Sequence, residues 1–188
     1  MAYMAHPNPS AEGRWDNEIW GSIHLELSDG ALIEDLTWDL GAFISWFLDS
    51  APSIVDERLT IGSGPHPGES LSQALDRMDE ELGDLLDVDQ SEAERRYEAL
   101  RRYREHHQLN AGLRGSVGRP WIVGLNVGGE ISLTGDVDRA ERIDLPQFVD
   151  SVREASVKFL EDSLARRLAS DGDRVARSLL ERLRYQPN

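Results

Sequence analysis

The chain has no cysteine, and of its 20 basic residues only Lys158 is a lysine. Lacking cysteine, it can form no disulfide, no thiolate metal site and no cysteine nucleophile, and the cytosol is the expected compartment. The scarcity of lysine removes the Walker-type phosphate loop. It also weakens a nuclease reading of the PD-(D/E)xK kind, because Lys158 falls mid-helix beside Glu154, Glu161 and Asp162. No HExxH zinc motif and no GxSxG nucleophile elbow occurs. No apolar run reaches the roughly 18 residues that a membrane span needs, so no membrane association is expected. The opening MAYMAHPNPSAEGR lacks the basic-then-apolar layout of a signal peptide and reads as the start of a flexible lead over 1–20. These absences point to a non-enzymatic chain with no cofactor and no metal.

Positive charge is scarce in one half only. Residues 1–94 carry 21 acidic and 3 basic side chains, net −18. Residues 95–188 carry 14 acidic and 17 basic, net +3. An acidic half repels a phosphate backbone, so nucleic acid is an unfavoured partner. It attracts a basic protein and speeds that encounter. An acidic surface that only maintains solubility is the plainer reading of the same charge.

Leu36, Leu40, Phe43, Ile44, Phe47 and Leu48 recur at helical spacing in LTWDLGAFISWFL, the most apolar helix candidate. The spacing predicts a core helix from about Leu36, capped by Thr37 or Asp39 and ended by Pro52. Before it, Gly21–Ser28 alternates as a half-buried strand, Asp29-Gly30 signals a tight turn and Ala31–Glu34 reads as the return strand. Ile61–Glu69 is a loop of three glycines and two prolines. Ser70 with Gln73 then forms a capping box for a helix with Leu71, Leu75, Met78, Leu82, Leu85 and Leu86 inward. Ser91 with Glu94 forms a second box for a helix to about His107, with Ala93, Tyr97, Leu100 and Tyr103 inward. Trp121–Val127, Gly128-Gly129 and Glu130–Thr134 read as a second hairpin, followed by a charged loop over Asp136–Arg142. A long helix follows Asp144, with Pro146 in its first turn. Ser170-Asp171-Gly172-Asp173 is expected to break it before an amphipathic terminal helix. The expected fold is α+β, with two β-hairpins forming a small, mainly antiparallel sheet packed against about five helices. The expected domains are the lead over 1–20, one α+β domain over 21–170 and a C-terminal helix over 171–188.

Each chemical constellation has a bland counterpart. Loop 61–70 joins glycines to a helix start, an arrangement that holds anions, and His66, Glu69 and Ser70 are its candidate ligand residues. A capped loop explains the same residues. His106 and His107 are adjacent and project about 100° apart on a helix, too far to share one metal readily. Asp87, Asp89 and Ser91 echo the start of a calcium loop without its glycine or closing glutamate. The Arg-rich helix over 95–104, with Tyr97 and Tyr103, has the residues for nucleic-acid contact, yet acidic neighbours can pair its arginines. The candidate partner-binding residues are Glu80, Glu81, Asp84, Asp87 and Asp89, with Leu179 and Leu183 on the terminal helix. Those two leucines also make that helix a candidate oligomer contact.

Two longer stretches carry a resemblance. WDLGAFISWFLDSAPSIVDERL has Trp, Leu and a second Trp before a distant Glu-Arg-Leu. HHQLNAGLRGSVGRPWIVGLNVGGEIS has His, Leu, Ala, Gly and Pro before a hairpin ending Glu-Ile-Ser. Over Gly21–Leu59 and Arg104–Leu168 the chain resembles the uncharacterised region upstream of ImmA/IrrE-type metallopeptidase domains in bacterial proteins. The peptidase motif is missing, so no catalytic residue carries over. The resemblance implies an accessory or sensor module of a bacterial stress or defence system. An immunity protein that neutralises a basic toxin fits the acidic half equally. The rival expectation is a small-ligand sensor or enzyme that uses loop 61–70.

Overall fold

The computed structural model describes residues 2–5, 19–26, 32–109, 121–124, 129–133, 139–165 and 170–185. They form β1 (Ala2–Ala5), β2 (Trp20–Glu26), β3 (Leu32–Asp39), α1 (Leu40–Asp56), α2 (Leu71–Leu86), α3 (Gln90–His107), β4 (Trp121–Gly124), β5 (Glu130–Leu133), β6 (Arg139–Arg142), α4 (Leu145–Ala165) and α5 (Ser170–Tyr185). The class is α+β. The strands make two separate antiparallel sheets, ordered β1-β2-β3 and β4-β5-β6, where one small sheet was expected. The proposed turns at Asp29-Gly30 and at Gly128, the glycines at 112, 115 and 118, and Leu168 lie outside the described residues.

The chain packs as two compact units, where a single domain over 21–170 was expected. The first comprises 1–49, 110–116 and 147–188, so the terminal helix belongs to it and is not a separate appendage. The second comprises 50–109 and 117–146.

In the first unit, β2 is the central strand. It pairs with β1 through Tyr3 opposite Ile23 and with β3 through Ile23 opposite Leu36. The lead over 1–20 therefore contains a strand. Leu36–Asp39 continue β3, so helix α1 starts four residues later than the periodicity predicts. Asp39 sets that start, because its Oδ1 accepts the N–H of Gly41 at 3.0 Å and of Ile19 at 2.9 Å. Leu40, Phe43, Ile44, Phe47 and Leu48 are buried as the spacing predicts. The Phe43 ring packs against those of Trp46 and Phe47, with centroids 5.9 and 6.4 Å away. The helix continues from Ser50 into the second unit, and Pro52 lies inside it and does not end it. Its missing N–H costs one bond near the end, while the buried Ile54 lies beyond it and Glu57 N–H closes the last turn on Ser53 at 2.8 Å. In α4, Val149, Val152, Phe159 and Leu160 are buried. The buried Ser156 and Ser163 return their hydroxyls to the carbonyls of Val152 and Phe159, at 2.7 and 2.8 Å. Ser170 opens α5, so the Ser-Asp-Gly-Asp stretch starts that helix instead of breaking one.

In the second unit α2 and α3 form an antiparallel hairpin. Leu71, Ala74, Leu75, Met78 and Leu82 of α2 share a core with Ala93, Leu100 and Tyr103 of α3 and with Leu59. The inward seam of α3 runs through 93, 96, 100, 103 and 107, a seven-residue repeat. Arg96 thus takes the half-buried place expected of Tyr97, which is exposed. Leu86, also expected inward, lies at the exposed end of α2. The second sheet has β5 at its centre, with Val123 opposite Ile131 and Ile131 opposite Glu141. Arg139–Arg142, expected as loop, is its edge strand β6.

Candidate functional site

The hairpin tip presents the clearest surface. Glu80, Asp84 and Asp87 are exposed, and none makes an ion pair among the described residues. Asp87 is the C-cap of α2 and contributes its backbone N–H to Leu85 O. Asp89 is the N-cap of α3, its Oδ1 accepting Glu92 N–H at 3.1 Å. Hence the cap of α3 lies two residues before the one predicted at Ser91, and the supposed calcium-loop residues Asp87 and Asp89 punctuate two helices. Leu86 is 56% exposed and Val88 85% exposed between these acids. Asp84 and Asp87 sit at the C-terminal end of α2, where no basic residue balances the negative end of the helix dipole. Glu81 differs from the other candidates, because Arg77 Nη1 pairs with it at 2.5 Å.

Loop 61–70 spends its polar groups on itself. Arg77 reaches up from α2, with Nε on Glu69 Oε1 at 2.9 Å and Nη2 on the carbonyl of Gly64 at 2.7 Å. Glu69 Oε2 also accepts the backbone N–H of His66 at 2.8 Å. The guanidinium hydrogen bond, reinforced by that N–H, holds the Glu69 carboxyl down at about 2 against its burial. Ser63 Oγ lies 3.3 Å from His66 Nε2. Ser70 and Gln73 form the predicted capping box, with Gln73 N–H on Ser70 Oγ at 3.2 Å and Ser70 N–H on Gln73 Oε1 at 3.0 Å. His66, Glu69 and Ser70 are therefore brought together as a braced loop.

Four of the five arginines of α3 are similarly engaged. Arg95 and Arg96 pair with Glu92 at 2.5 and 2.8 Å. Arg101 pairs with Glu98 at 2.6 Å and also with Glu105. Arg104 crosses to Asp79 of α2 at 2.5 Å. The intrahelical pairs are the three- and four-residue neighbours that a helix surface supports.

On α5, Leu179 and Leu183 are buried, which corrects their assignment to a partner surface. Arg182 ties the helix to α1 through Asp49 at 2.6 Å and Ser45 at 3.3 Å. Arg184 ties it to Glu161 of α4 at 2.7 Å. The terminal apolar stripe serves the chain's own core.

One cluster has no counterpart among the sequence-predicted sites. Glu57 Oε2 lies 3.1 Å from His106 Nδ1 and 3.4 Å from His107 Nε2. The two adjacent histidines, expected to project about 100° apart, converge on one carboxylate oxygen. His107 is fully buried and stacks on Tyr103 with centroids 3.9 Å apart and planes 13° from parallel. Burial, then the charges of Glu57 and Glu130, push the Tyr103 phenol well above its ordinary value. Glu130 Oε1 accepts the first N–H of α2, from Leu71, at 2.6 Å. The only local hint was the four-residue spacing from Tyr103 to His107; Glu57 and Glu130 arrive from other elements. Among the described residues no group of three or more His, Asp or Glu is arranged to hold a metal ion, and no helix is long and apolar enough to cross a membrane.

Comparison of the chain with protein-family models, curated proteins and solved structures finds no match.

Proposed function

We propose that the chain is a non-enzymatic interaction module that docks a basic protein through the tip of the α2–α3 hairpin. The observation that carries this reading is the pairing of exposed Leu86 and Val88 with unneutralised Glu80, Asp84 and Asp87. Apolar anchors within a charged rim are the usual anatomy of a protein interface, and the rim's sign selects a cationic partner. Two of those acids also oppose the dipole of their own helix, a placement that favours binding over stability. The setting that fits is an accessory subunit of a bacterial stress or defence system, or an immunity protein covering a basic toxin. Loop 61–70 supports a ligand role less, since its charged groups already satisfy one another. The Arg-rich helix supports nucleic-acid binding less, since four of its arginines are paired.

The test is an affinity capture from the native host, washed at low and at high salt, with wild type, Asp84→Lys/Asp87→Lys and His66→Ala as baits. The reading expects a stoichiometric basic protein that is retained by wild type and His66→Ala, shed at high salt and absent from the double-lysine variant. Equal retention by the double-lysine variant overturns the assignment to the hairpin tip. Recovery of the chain alone overturns the interaction reading.

A further inference from the structure

Ser63 is exposed in loop 61–70, between Gly62 and Gly64, both at positive φ. Its hydroxyl is a meeting point of basic groups. Oγ accepts from Arg77 Nη1 at 3.2 Å and lies 3.3 Å from His66 Nε2. One residue back, a methyl group built on Gly62 would lie 3.1 Å from Arg96 Nη1. A guanidinium has five N–H donors, and those of Arg77 go to both oxygens of Glu69, Glu81 Oε1, the carbonyl of Gly64 and Ser63 Oγ. Nη1 is thus shared between a carboxylate and an alcohol. The alcohol is the weaker acceptor of the two, and phosphorylation would make it the stronger.

We propose that Ser63 is a phosphoryl-acceptor site, and that Arg77, with His66 and Arg96 beside it, is the receptor for the phosphate it acquires. In the transfer Ser63 Oγ attacks the terminal phosphorus of a nucleoside triphosphate held by a protein kinase. The new O–P bond forms as the bond to the departing nucleoside diphosphate breaks, and the hydroxyl proton passes to the kinase's base. Exposure on an irregular loop leaves Ser63 open to such an enzyme. The product carries about −1.5 to −2 charges at neutral pH and three strong acceptor oxygens. Arginine holds such a group with paired, charge-assisted hydrogen bonds. The phosphate therefore takes Nη1 from Glu81, whose side chain is 40% exposed and free to turn to solvent. The released Glu81 adds its charge to those of Glu80 and Asp84 on α2. A tighter hold on a basic partner would follow; that consequence rests on the docking reading, and the phosphate site does not.

The full chain with phosphoserine encoded in place of Ser63 tests the receptor by the sign of a phosphorus NMR titration. An ordinary phosphoserine loses its second proton at about pH 6. Capture by Arg77 favours the dianion, so the folded chain is expected to titrate roughly tenfold more acidic, at about pH 5, than the same chain in concentrated urea. If both carboxylates keep Arg77 instead, the phosphate sits beside like charges, and its titration moves the other way. A folded-state value at or above the urea value overturns the proposal. Arg77→Gln is expected to abolish the acid shift; should that variant unfold, His66→Ala and Arg96→Gln are each expected to reduce it. The acceptor role is read on the chain isolated from its native host during growth and under stress. A phosphoryl mass on Ser63 supports it, and its absence from both samples overturns it. Neither reading involves a partner, so capture of a basic protein can fail while the phosphate site stands.

Discussion

A methyl group built on Gly129 would lie 2.6 Å from the carbonyl oxygen of Ile143, at a backbone φ of +87°. Both the close approach and the left-handed conformation demand glycine there. The contact is with backbone, so no side-chain rotation relieves it. Gly129→Ala is expected to destabilise by about 2 kcal/mol or more, read as a lower urea midpoint. Gly68 also has a positive φ, of +82°, but open space around it, so Gly68→Ala should cost about 1 kcal/mol, the conformational part alone. At Glu69 the relevant quantity is acidity. The Arg77 hydrogen bond holds its carboxyl down at about 2 in the fold, against an ordinary 4.5. A depressed carboxyl stabilises the fold fully above the unfolded value and loses that contribution as pH falls through the folded one. The stability gap between wild type and Glu69→Gln should therefore hold from neutrality to about pH 4.5 and close between there and about pH 2. A gap that does not change across this window would show that the Arg77 bridge does not bear on folding.

At the scale of elements the helix starts are the informative contrast. Asp89, not Ser91, caps α3 and accepts the N–H of Glu92. Asp89→Ala should cost about 1 kcal/mol, and Ser91→Ala almost nothing; thermal melts of the two variants separate these outcomes. Two readings of nearly the same residues competed here, and the rule for capping residues does not by itself say which of several acids and serines lies one residue outside the helix. The Ser70 box was legible because no rival cap stood beside it. The core stripe of α1 was legible from Leu40 onward, since its five apolar positions repeat without ambiguity. Leu36–Asp39 was not, because a strand running directly into a helix leaves apolar residues continuous across the join. Strand β6 was hidden for a different reason. Arg-Ala-Glu-Arg has the composition of a loop, and only pairing with the central β5 makes it a strand. The acidic tip was visible as composition, but the exposure of Leu86 and Val88 depends on where α2 stops, and the Glu57–His107–Tyr103 cluster depends on residues about 50 positions apart.

Across the whole molecule, the net charge of −15 is unevenly neutralised. On α2, Arg77 pairs with Glu81 and Arg104 of α3 pairs with Asp79, while Glu80 and Asp84 make no ion pair among the described residues. Surplus acid of this kind does nothing for the fold. At the end of a helix it repels the local dipole, at about 0.3–1 kcal/mol per charge in the first or last turn, and it adds to the self-repulsion of the compact state. Stability and binding should therefore part company in the Asp84→Lys/Asp87→Lys variant. Folding stability is expected to rise by about 1 kcal/mol at low ionic strength, with the gain shrinking as salt screens it over a Debye length of about 10 Å at 0.1 M. Capture of the basic partner by the same variant is expected to vanish. Urea denaturation at low and at high salt, run beside the capture experiment, decides the matter. A variant that loses both stability and binding would mean that these aspartates hold the hairpin together and affect the partner only through the fold. A variant that gains stability and loses binding would mean that the acids are retained at the expense of the helix that carries them, as a docking surface requires.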